Sequence, residues 1–346
     1  MKKNVFQKNH KIFPIFLPFL GCKNKCVYCN QNKITNLTIS DLENFLEEKI
    51  KEIIIQKNNI DEIALYGSSF TGLAISEQEK ILRLINNKIS DIKLRISTYP
   101  EFINFDILKL LYDYNVRTIE LGAQILDDIV LKKIGRTYNV KLVEEVCDQI
   151  KKLDFKLGLQ IIIGLPYSDK TKELETIEKI KKIQTDYLRI YPLVIVKDTE
   201  LAKMFESGEY MPLTLDEIID RCSEILENLE DTNIRVIRIG LHSEAAFTEN
   251  DIVWKAAYHP ALGELVKSEY VYRKIKKIKN NCNFDKIKIK YFSAFRSIIF
   301  GQNKRYFEKY KNIGIEEFES AAELSKDEIL ICSDSEKKIA EIKIKF

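Results

Sequence analysis

The sequence predicts an α/β protein, with a partial (β/α)6-type TIM barrel followed by a small α+β C-terminal domain. Three observations predict it. Strand-like segments alternate with amphipathic helical segments from residue 12 to about residue 240. The strand-like segments are short apolar runs, as expected of parallel strands buried on both faces. Six or seven such units are fewer than a full eight-fold barrel requires.

Seven segments of the chain are predicted to form strands. Apolar runs predict strands at residues 12–17, 62–66, 93–96, 116–121, 155–163, 187–192 and 234–239. Because repeated strand–helix units of this length form right-handed crossovers, the strands should lie parallel in one sheet. Ligands of such sheets bind at the carboxyl ends of the strands, so residues that follow each strand are the candidate site.

The helices between the strands begin at recognisable sequence signals. Three segments match a capping box, namely Ser40–Glu43, Ser76–Glu79 and Thr214–Glu217. Apolar residues then keep helical spacing at positions 42, 45, 46, 50, 53 and 54, and again at positions 174, 177, 180 and 183. These patterns predict helices that cover the sheet.

A change of pattern after Gly240 predicts a second domain. We place the barrel at residues 1–245 and the C-terminal domain at residues 246–346, with strands near residues 286–290, 328–332 and 338–346. The stretch 267–305 is basic and contains Tyr270, Tyr272, Tyr291 and Phe292. It could follow a nucleic-acid backbone and stack bases. It could equally be a solvated helix with a lysine-protected edge strand.

The bulk composition is that of an ordinary globular protein. The 346 residues are 45% hydrophobic and carry 55 Lys and Arg against 52 Asp and Glu, a net charge of +3. That charge is too small to predict a polyanion partner for the whole molecule. The apolar run 12–20 contains Pro14 and Pro18 and is too short to cross a bilayer. No secretory signal is evident, and the odd cysteine count fits a reducing compartment, so we expect a cytoplasmic protein without a membrane partner.

Three cysteines, Cys22, Cys26 and Cys29, follow the first predicted strand directly. Three thiols on one short loop suit a [4Fe-4S] cluster that leaves one iron without a protein ligand. Two other kinds of site stay open. A zinc site would need a distant Cys or His as its fourth ligand. An electron-transfer cluster would take its fourth ligand from Cys147, Cys222, Cys282 or Cys332.

Polar residues recur at the ends of the next strands. The second strand runs into a segment with two glycines around hydroxyls, residues 66–72, where backbone groups could approach a small ligand closely. The third ends near Ser97, the fourth in Gln124 with Arg136 after it, and the fifth contains Gln160 before Gly164-Leu-Pro166. Because these ends meet at one edge of the sheet, they predict a ligand site there.

With these motifs in place, the chain resembles the radical S-adenosylmethionine superfamily. Within it the chain is similar to the catalytic subunit of the Elongator complex and its shorter bacterial relatives. The likeness covers residues 10–240 and rests on the cysteine spacing with Tyr28, on the segments 67–70 and 119–136, and on Gly164-Leu-Pro166. We expect the Elongator acetyltransferase domain to be missing, since the chain ends too early to contain it.

The resemblance implies a role for each matched residue. Cys22, Cys26 and Cys29 would ligate a [4Fe-4S] cluster, and S-adenosylmethionine would bind the fourth iron. The implied cofactor contacts are Tyr28 beside the adenine, Gly67, Ser68 and Ser69 at the amino group, Ser97 near the ribose, Gln124 and Gln160 along the nucleoside, and Arg136 at the carboxylate. No residue is assigned to chemistry on the substrate.

The sequence departs from the family pattern at three places. Ser68 replaces a glycine of the segment that meets the amino group. Ser97 stands where many relatives carry an acidic residue for the ribose hydroxyls. Thr137 and Tyr138 stand where a glycine–histidine pair is common. These departures concern how the cofactor is held and leave the cysteine motif intact.

The implied reaction is reductive cleavage of S-adenosylmethionine to a 5′-deoxyadenosyl radical, with flavodoxin or ferredoxin as one-electron donor. The family resemblance favours RNA, specifically tRNA bound through the C-terminal basic region, as the substrate. One alternative is a small-molecule radical enzyme similar to oxygen-independent coproporphyrinogen oxidase. Another is a cluster protein without catalysis that holds tRNA or haem.

Overall fold

The computed structural model describes residues 10–17, 22, 25–30, 42–67, 69–241, 251–254, 258–282, 286–325, 328–333 and 337–343. Three residues named above, Pro18, Ser40 and Ser68, lie outside these ranges. All three cysteines of the motif lie within them.

Seven parallel strands form the main sheet, each paired with the strands next to it in sequence order. Every predicted strand is present, with ends within three residues of expectation. The strands are β1 Ile12–Phe16, β2 Glu62–Tyr66, β3 Lys93–Thr98, β4 Val116–Gln124, β5 Lys156–Ile163, β6 Tyr187–Pro192 and β8 Arg235–Ile239. The unbroken order of neighbours is that of a barrel laid out strand by strand.

Helices connect the strands and cover the outer face of the sheet. They are α1 Leu42–Gln56, α2 Ile75–Asn86, α3 Phe105–Asp113, α4 Asp128–Lys133, α5 Val140–Lys152, α6 Lys170–Ile183, α7 Glu200–Glu206 and α8 Leu215–Asn228. The predicted apolar positions are buried where helical spacing requires, including Leu46, Ile50 and Ile53 on α1. Amphipathic packing therefore accounts for these helices.

Two of the capping predictions have different outcomes. At α8 the Thr214 hydroxyl accepts the backbone N–H of Glu217, and the Glu217 carboxylate accepts that of Thr214, so this capping box is confirmed. At α2 the predicted box is wrong. The helix already begins at Ile75 with Ala74 as its N-cap, and the Glu77 carboxylate accepts the Ala74 N–H at 3.1 Å. Ser76 is therefore inside the helix.

The sheet is curled, and this confirms the partial barrel. Tyr66 on β2 and Arg189 on β6 are hydrogen-bonded although three strands separate β2 from β6. Such a contact requires the two strands to face each other across a concave surface. The strands are buried on both faces as expected, but their inward-facing positions carry charged and polar side chains.

A buried ion network fills the inside of the barrel. Arg95 donates to Glu62 at 2.8 Å and to Glu120 at 2.6 Å, and Arg189 donates to Glu120 at 2.6 Å. Tyr66 donates to Glu120 at 2.8 Å. The four charged side chains are at most 6% exposed, and their formal charges cancel. Paired charges are tolerated inside a protein where isolated ones are not, so the network lets a polar interior exist.

The second region contains one long helix and a separate sheet. Helix α9, Leu262–Asn280, packs against α8, and the Ser223 hydroxyl on α8 donates to the Val266 carbonyl at 3.1 Å. Beyond it lie α10 Arg296–Phe300, α11 Arg305–Lys311, β10 Ile287–Tyr291, β11 Glu317–Ser320, β12 Glu328–Ser333 and β13 Lys338–Lys343. The sheet order is β11-β10-β12-β13, and β11 was not predicted. The domain boundary near residue 245 stays a prediction.

Two short strands, β7 Ile195–Val196 and β9 Ile252–Trp254, form a small antiparallel pair beside the barrel. They too were absent from the sequence expectations, because runs of two or three residues carry no usable periodicity. Within the part of the chain that the structure describes, no helix combines the length and apolar character needed to cross a bilayer.

The base-stacking interpretation of the basic stretch is wrong for its three tyrosines. Tyr270, Tyr272 and Tyr291 are at most 9% exposed and belong to the hydrophobic core. Several of its basic residues are also occupied in ion pairs, including those of Arg273 with Asp220, Lys274 with Glu230 and Arg305 with Asp216. These three tyrosines pack in the hydrophobic core instead of presenting faces to bases, whereas Phe292 is half-buried.

Candidate cofactor site

The cysteine loop follows β1 at the carboxyl end of the sheet and is attached to two later segments. The Val27 N–H donates to the Ile134 carbonyl at 3.2 Å, and the Val27 carbonyl accepts the Leu201 N–H at 2.8 Å. A Cβ on Gly135 would lie 2.9 Å from the Lys25 carbonyl oxygen. Gly135 has a φ of +82°, so this approach depends on glycine.

The three thiols are neighbours in space as well as in sequence. Burial raises the pKa of Cys22, a trend that the backbone hydrogen bond from Ser69 opposes and the nearby Cys26 thiol reinforces. Burial, followed by Cys26 and Cys22, raises the pKa of Cys29 to about 12. Arg136 acts against the rise at both sites. Metal binding requires thiolates, so a positive charge here favours the form that ligates iron.

Arg136 lies in an aromatic enclosure beside these thiols. Its Nη2 donates to the Tyr28 hydroxyl at 2.7 Å. Its guanidinium carbon lies 4.7 Å from the ring centre of Tyr99 and 5.8 Å from that of Tyr138. The Nε of Arg136 is buried and has no hydrogen-bond partner among the residues that the structure describes. A buried donor left unpaired is costly, which makes it a natural contact for an anionic ligand.

The segment after β2 meets the first cysteine. Gly67 has a φ of +92°, and a Cβ there would lie 2.7 Å from the Leu17 carbonyl oxygen, so glycine allows the ends of β1 and β2 to approach. The Ser69 hydroxyl hydrogen-bonds Thr98 at 3.1 Å and accepts the Tyr99 N–H at 3.1 Å. Ser69 thus joins the ends of β2 and β3, with its backbone turned to Cys22.

The other predicted contacts are Gln124, Gln160 and Ser97, and their side chains differ in their hydrogen bonding and burial. Gln124, at the end of β4, has a φ of +63° and is 8% exposed. Its amide makes no hydrogen bond with the described residues, and it folds over Gly122, whose Cβ would lie 2.7 Å from its Nε2. Gln160 instead donates to Glu120 at 2.9 Å as part of the ion network. Ser97 lies on β3 opposite Glu120 and is half-buried.

The remaining four cysteines do not join the motif. Cys147 and Cys222 are buried in α5 and α8, Cys332 is buried in β12, and Cys282 donates to the Lys279 carbonyl after α9. Burial raises the pKa of Cys147 to about 12. Across the described ranges, no three His, Cys, Asp or Glu side chains converge as ligands of one metal ion would. A [4Fe-4S] cluster differs from a single metal ion because each thiol binds a different iron atom.

The residues that sequence reasoning missed are Tyr99, Tyr138 and the ion network. The Tyr138 hydroxyl donates to the Gly122 carbonyl at 2.6 Å, which ties the Arg136 segment to β4. A usable signal existed for the network, since Glu120 and Arg189 are charged residues inside predicted strands. Tyr138 follows Arg136 closely and is recognisable in the sequence only as a departure from the family pattern, whereas Tyr99 gave no local signal because Arg136 is distant from it in sequence.

The described groups fit an iron–sulfur cluster together with a ligand that carries an anionic group and a polar group able to bond an amide. Three thiols supply the ligand set of an open cluster. The unpaired Nε of Arg136 suits a carboxylate, and the unbonded amide of Gln124 suits a polar group such as a nucleoside. The thiols follow β1 and Gln124 ends β4, while Arg136 follows α4 and lies beside the thiols, so the groups meet at the carboxyl edge of the sheet, where ligands of parallel sheets bind.

Comparison with known proteins agrees with this arrangement. The threonylcarbamoyladenosine tRNA methylthiotransferase MtaB of Thermotoga maritima is 27% identical over 62% of this chain and 50% of its own length. The haem chaperone HemW of Bacillus subtilis is 26% identical over 56% of this chain and 53% of its own. The chain thus spans about half the length of each relative.

A solved structure shares the fold. The archaeal Elp3 of Methanocaldococcus infernus superposes with a TM-score of 0.61 at 18% identity, over 77% of this chain and 63% of that one. The likeness that the sequence showed to the Elongator catalytic subunit is thus confirmed at the level of the fold. Residues 16–180 match the Radical SAM superfamily and residues 185–271 match the Radical_SAM C-terminal domain. The chain belongs to the radical S-adenosylmethionine superfamily of enzymes, whose cofactors are a [4Fe-4S] cluster and S-adenosylmethionine.

Proposed function

We propose that this protein cleaves S-adenosylmethionine reductively and uses the product radical to modify an RNA. The observation that carries the first half is the grouping of three thiols with Arg136 at the carboxyl end of the sheet. When bound, the cluster and S-adenosylmethionine supply one-electron cleavage of the sulfonium, giving methionine and a 5′-deoxyadenosyl radical that abstracts hydrogen from a substrate.

The chain's own residues bind and orient. Cys22, Cys26 and Cys29 would hold the cluster, and Arg136 would receive the carboxylate of S-adenosylmethionine through its free Nε. Gln124 would meet the nucleoside with its unbonded amide. Gly67 to Ser69 and Ser97 remain candidates for the amino group and the ribose. The curled sheet would keep water away from the reactive carbon.

The decisive experiment is anaerobic reconstitution followed by dithionite and S-adenosylmethionine. We expect 5′-deoxyadenosine from the wild-type protein, and loss of both cluster absorbance and product in Cys26→Ala. Cys147→Ala is the matched control, because that thiol is buried in α5. An intact cluster without 5′-deoxyadenosine would contradict the catalytic proposal, and cleavage retained by Cys26→Ala would contradict the site.

RNA as substrate is supported by two features. The relative MtaB bears the name of a tRNA methylthiotransferase. In the C-terminal domain, Arg296 and Lys304 line one open pocket with Ser293 and Ser297, and neither cation forms an ion pair with the described residues. Two cations and two hydroxyls suit the phosphates of a nucleic-acid backbone. We further propose a cytoplasmic location and a flavodoxin or ferredoxin as electron donor.

Binding of total tRNA tests this assignment. Each cation that neutralises a phosphate adds about one unit to the slope of log K against log salt, so Arg296→Gln with Lys304→Gln should reduce that slope by about 2. Lys288→Gln is the control, since Lys288 lies 3.6 Å from the carboxylates of Glu317 and Glu319. An unchanged slope would contradict the pocket, and an unchanged nucleoside profile in tRNA of cells lacking the protein would contradict the substrate.

Haem is the second candidate, because HemW bears the name of a haem chaperone. Titration of the reconstituted protein with haem separates the two. Stoichiometric, saturable haem binding without any effect of the protein on tRNA nucleosides would move the assignment from RNA to haem.

A further inference from the structure

The contact between Tyr28 and Arg136 joins two residues that the family resemblance assigns to opposite ends of S-adenosylmethionine. Tyr28 is expected beside the adenine and Arg136 at the carboxylate. In the structure the Tyr28 hydroxyl accepts the Arg136 Nη2 hydrogen at 2.7 Å. An N–H···O contact of that length to a guanidinium is a charge-assisted hydrogen bond. Tyr28 is therefore bonded to the anion-binding side chain itself.

Arg136 needs such support because its charge has no carboxylate partner. Within the described ranges it forms no ion pair, and the groups that act most strongly on its charge are Tyr138, Tyr28 and Cys26. A flexible side chain whose Nε is buried and unpaired would otherwise turn toward water. Two aromatic rings oppose that movement. Tyr99 and Tyr138 lie within 6 Å of the guanidinium, and their own rings meet at 4.9 Å nearly edge to face.

The walls of this enclosure are themselves anchored. The Tyr138 hydroxyl donates to the Gly122 carbonyl on β4 at 2.6 Å, and Tyr99 follows β3 directly, where its N–H donates to Ser69. Tyr28 belongs to the cysteine loop, which is tied to Ile134 through Val27. The guanidinium is thus held from three sides, by Tyr28 of the cysteine loop, by Tyr99 at the end of β3 and by Tyr138 of its own segment, which is tied to β4.

We propose that Tyr28 is a positioning residue for Arg136: with Tyr99 and Tyr138 it fixes the guanidinium so that Nε stays free for the carboxylate of S-adenosylmethionine. This rests on the proposed function, since it concerns how that cofactor is held. It gives Tyr28 a role in affinity at the carboxylate and separates that role from cluster binding. Tyr138, which stands in place of a common histidine, becomes part of the same device.

A double-mutant cycle on the reconstituted protein tests the proposal. Iron and sulfide content report the cluster, and equilibrium binding of S-adenosylmethionine reports the carboxylate contact. Tyr28→Phe should keep full iron content and raise Kd about tenfold, the scale of one hydrogen bond to a charged group. In the Arg136→Gln background Tyr28→Phe should add nothing, because residues that act through one another are not additive.

Two further variants separate the contribution of the Tyr138 ring from that of its hydroxyl. Tyr138→Phe keeps the aromatic face but loses the hydroxyl that anchors it to β4, so it should weaken binding of S-adenosylmethionine less than Tyr138→Leu, which removes the ring and should weaken binding severalfold. Tyr112→Phe is the control. Tyr112 lies under Arg117 at 4.1 Å on the outside of the barrel, a tyrosine–arginine pair remote from the site, and its Kd should equal that of wild type.

The outcomes are distinct. Additive effects of Tyr28→Phe and Arg136→Gln, or a wild-type Kd in Tyr28→Phe, would overturn the positioning role. Loss of iron in Tyr28→Phe would overturn it too, by making Tyr28 a support of the cluster loop. If the wild-type protein assembles its cluster but binds no S-adenosylmethionine, the proposed function fails, and this inference fails with it.

Discussion

At the scale of single residues, two glycines in the same backbone conformation have different surroundings. Gly135 has a φ of +82°, and a Cβ there would lie 2.9 Å from the Lys25 carbonyl oxygen in the cysteine loop. Gly208 has a φ of +77°, and a Cβ there would meet nothing within 4 Å. Comparing Gly135 with Gly208 therefore separates the free-energy cost of the left-handed backbone from the cost of the steric contact.

We predict that Gly135→Ala lowers the iron bound per chain after reconstitution, because the new methyl group displaces the loop that carries Cys26. Gly208→Ala should bind full iron while losing roughly 1–2 kcal/mol of unfolding free energy to its left-handed backbone. Iron analysis and chemical denaturation check both. Equal iron content in the two variants would show that the close approach at Gly135 does not position the loop.

Glu120 is the residue on which the ion network centres. It is buried, which alone would raise its pKa, but Arg189 and Arg95 outweigh burial and lower that pKa to about 2. A glutamate carboxyl has a pKa of about 4.3 in the unfolded chain, so the lowered pKa of Glu120 contributes stability that is fully present above that pH. The contribution is lost as pH falls from about 4 to about 2.

Glu120→Gln should therefore lower the unfolding free energy at pH 7 by about 3–5 kcal/mol, since it leaves two buried guanidinium groups undercompensated. It should also flatten the acid limb of the stability profile between pH 4 and pH 2. Asp91→Asn, which breaks an exposed pair with Lys57, is the control and should leave the unfolding midpoint almost unchanged. A similar loss in both variants would contradict the network's importance.

At the scale of elements, local signals decide where helices lie but not always where they begin. Thr214–Glu217 and Ser76–Glu79 match the same capping pattern, yet only the first caps a helix. At α2 the residue two positions earlier takes the N-cap, because Leu73 and Ala74 are extended after the Phe70–Gly72 turn, with ψ of 157° and 145°, and the chain is already helical from Ile75. The tertiary structure therefore decides which of two equivalent sequence patterns caps a helix.

Thr214→Ala should reduce the unfolding free energy by about 1 kcal/mol, the usual loss of an N-cap side chain. Ser76→Ala should be neutral or slightly stabilising, because Ser76 is exposed inside α2 and alanine favours helix. Denaturant titration of the two variants provides the measurement. A loss at Ser76 as large as that at Thr214 would mean that the helix begins where the sequence pattern suggested.

At the scale of the molecule, α9 connects the two parts of the chain. One side packs on α8, where Ser223 donates to the Val266 carbonyl and Lys274 pairs with Glu230 at 2.8 Å. Its Tyr272 meets Tyr306 and Tyr310 of α11 with ring centres 5.7 and 5.3 Å apart. The helix lies beyond the boundary predicted at residue 245, yet it covers apolar surface of the barrel.

We predict that a chain ending at residue 282 unfolds cooperatively, whereas one ending at residue 245 does not. Removing α9 exposes buried residues of α8 such as Ile219 and Cys222, and exposed apolar surface of that extent favours aggregation. Thermal unfolding and limited proteolysis of both forms give the comparison. A cooperative transition in the shorter form would show instead that the barrel ends before α9.

By itself the sequence determined the order of strands and helices, the cysteine loop after β1 and the family, because periodicity and motif spacing are properties of neighbouring residues. The tertiary structure alone decided which strand face is polar, since the ion network joins side chains up to 123 residues apart, as in Tyr66 and Arg189. It buried Tyr270, Tyr272 and Tyr291 in the core. It also brought Tyr28 to Arg136 across 108 residues, a contact that exists only once the sheet curls and its strand ends meet.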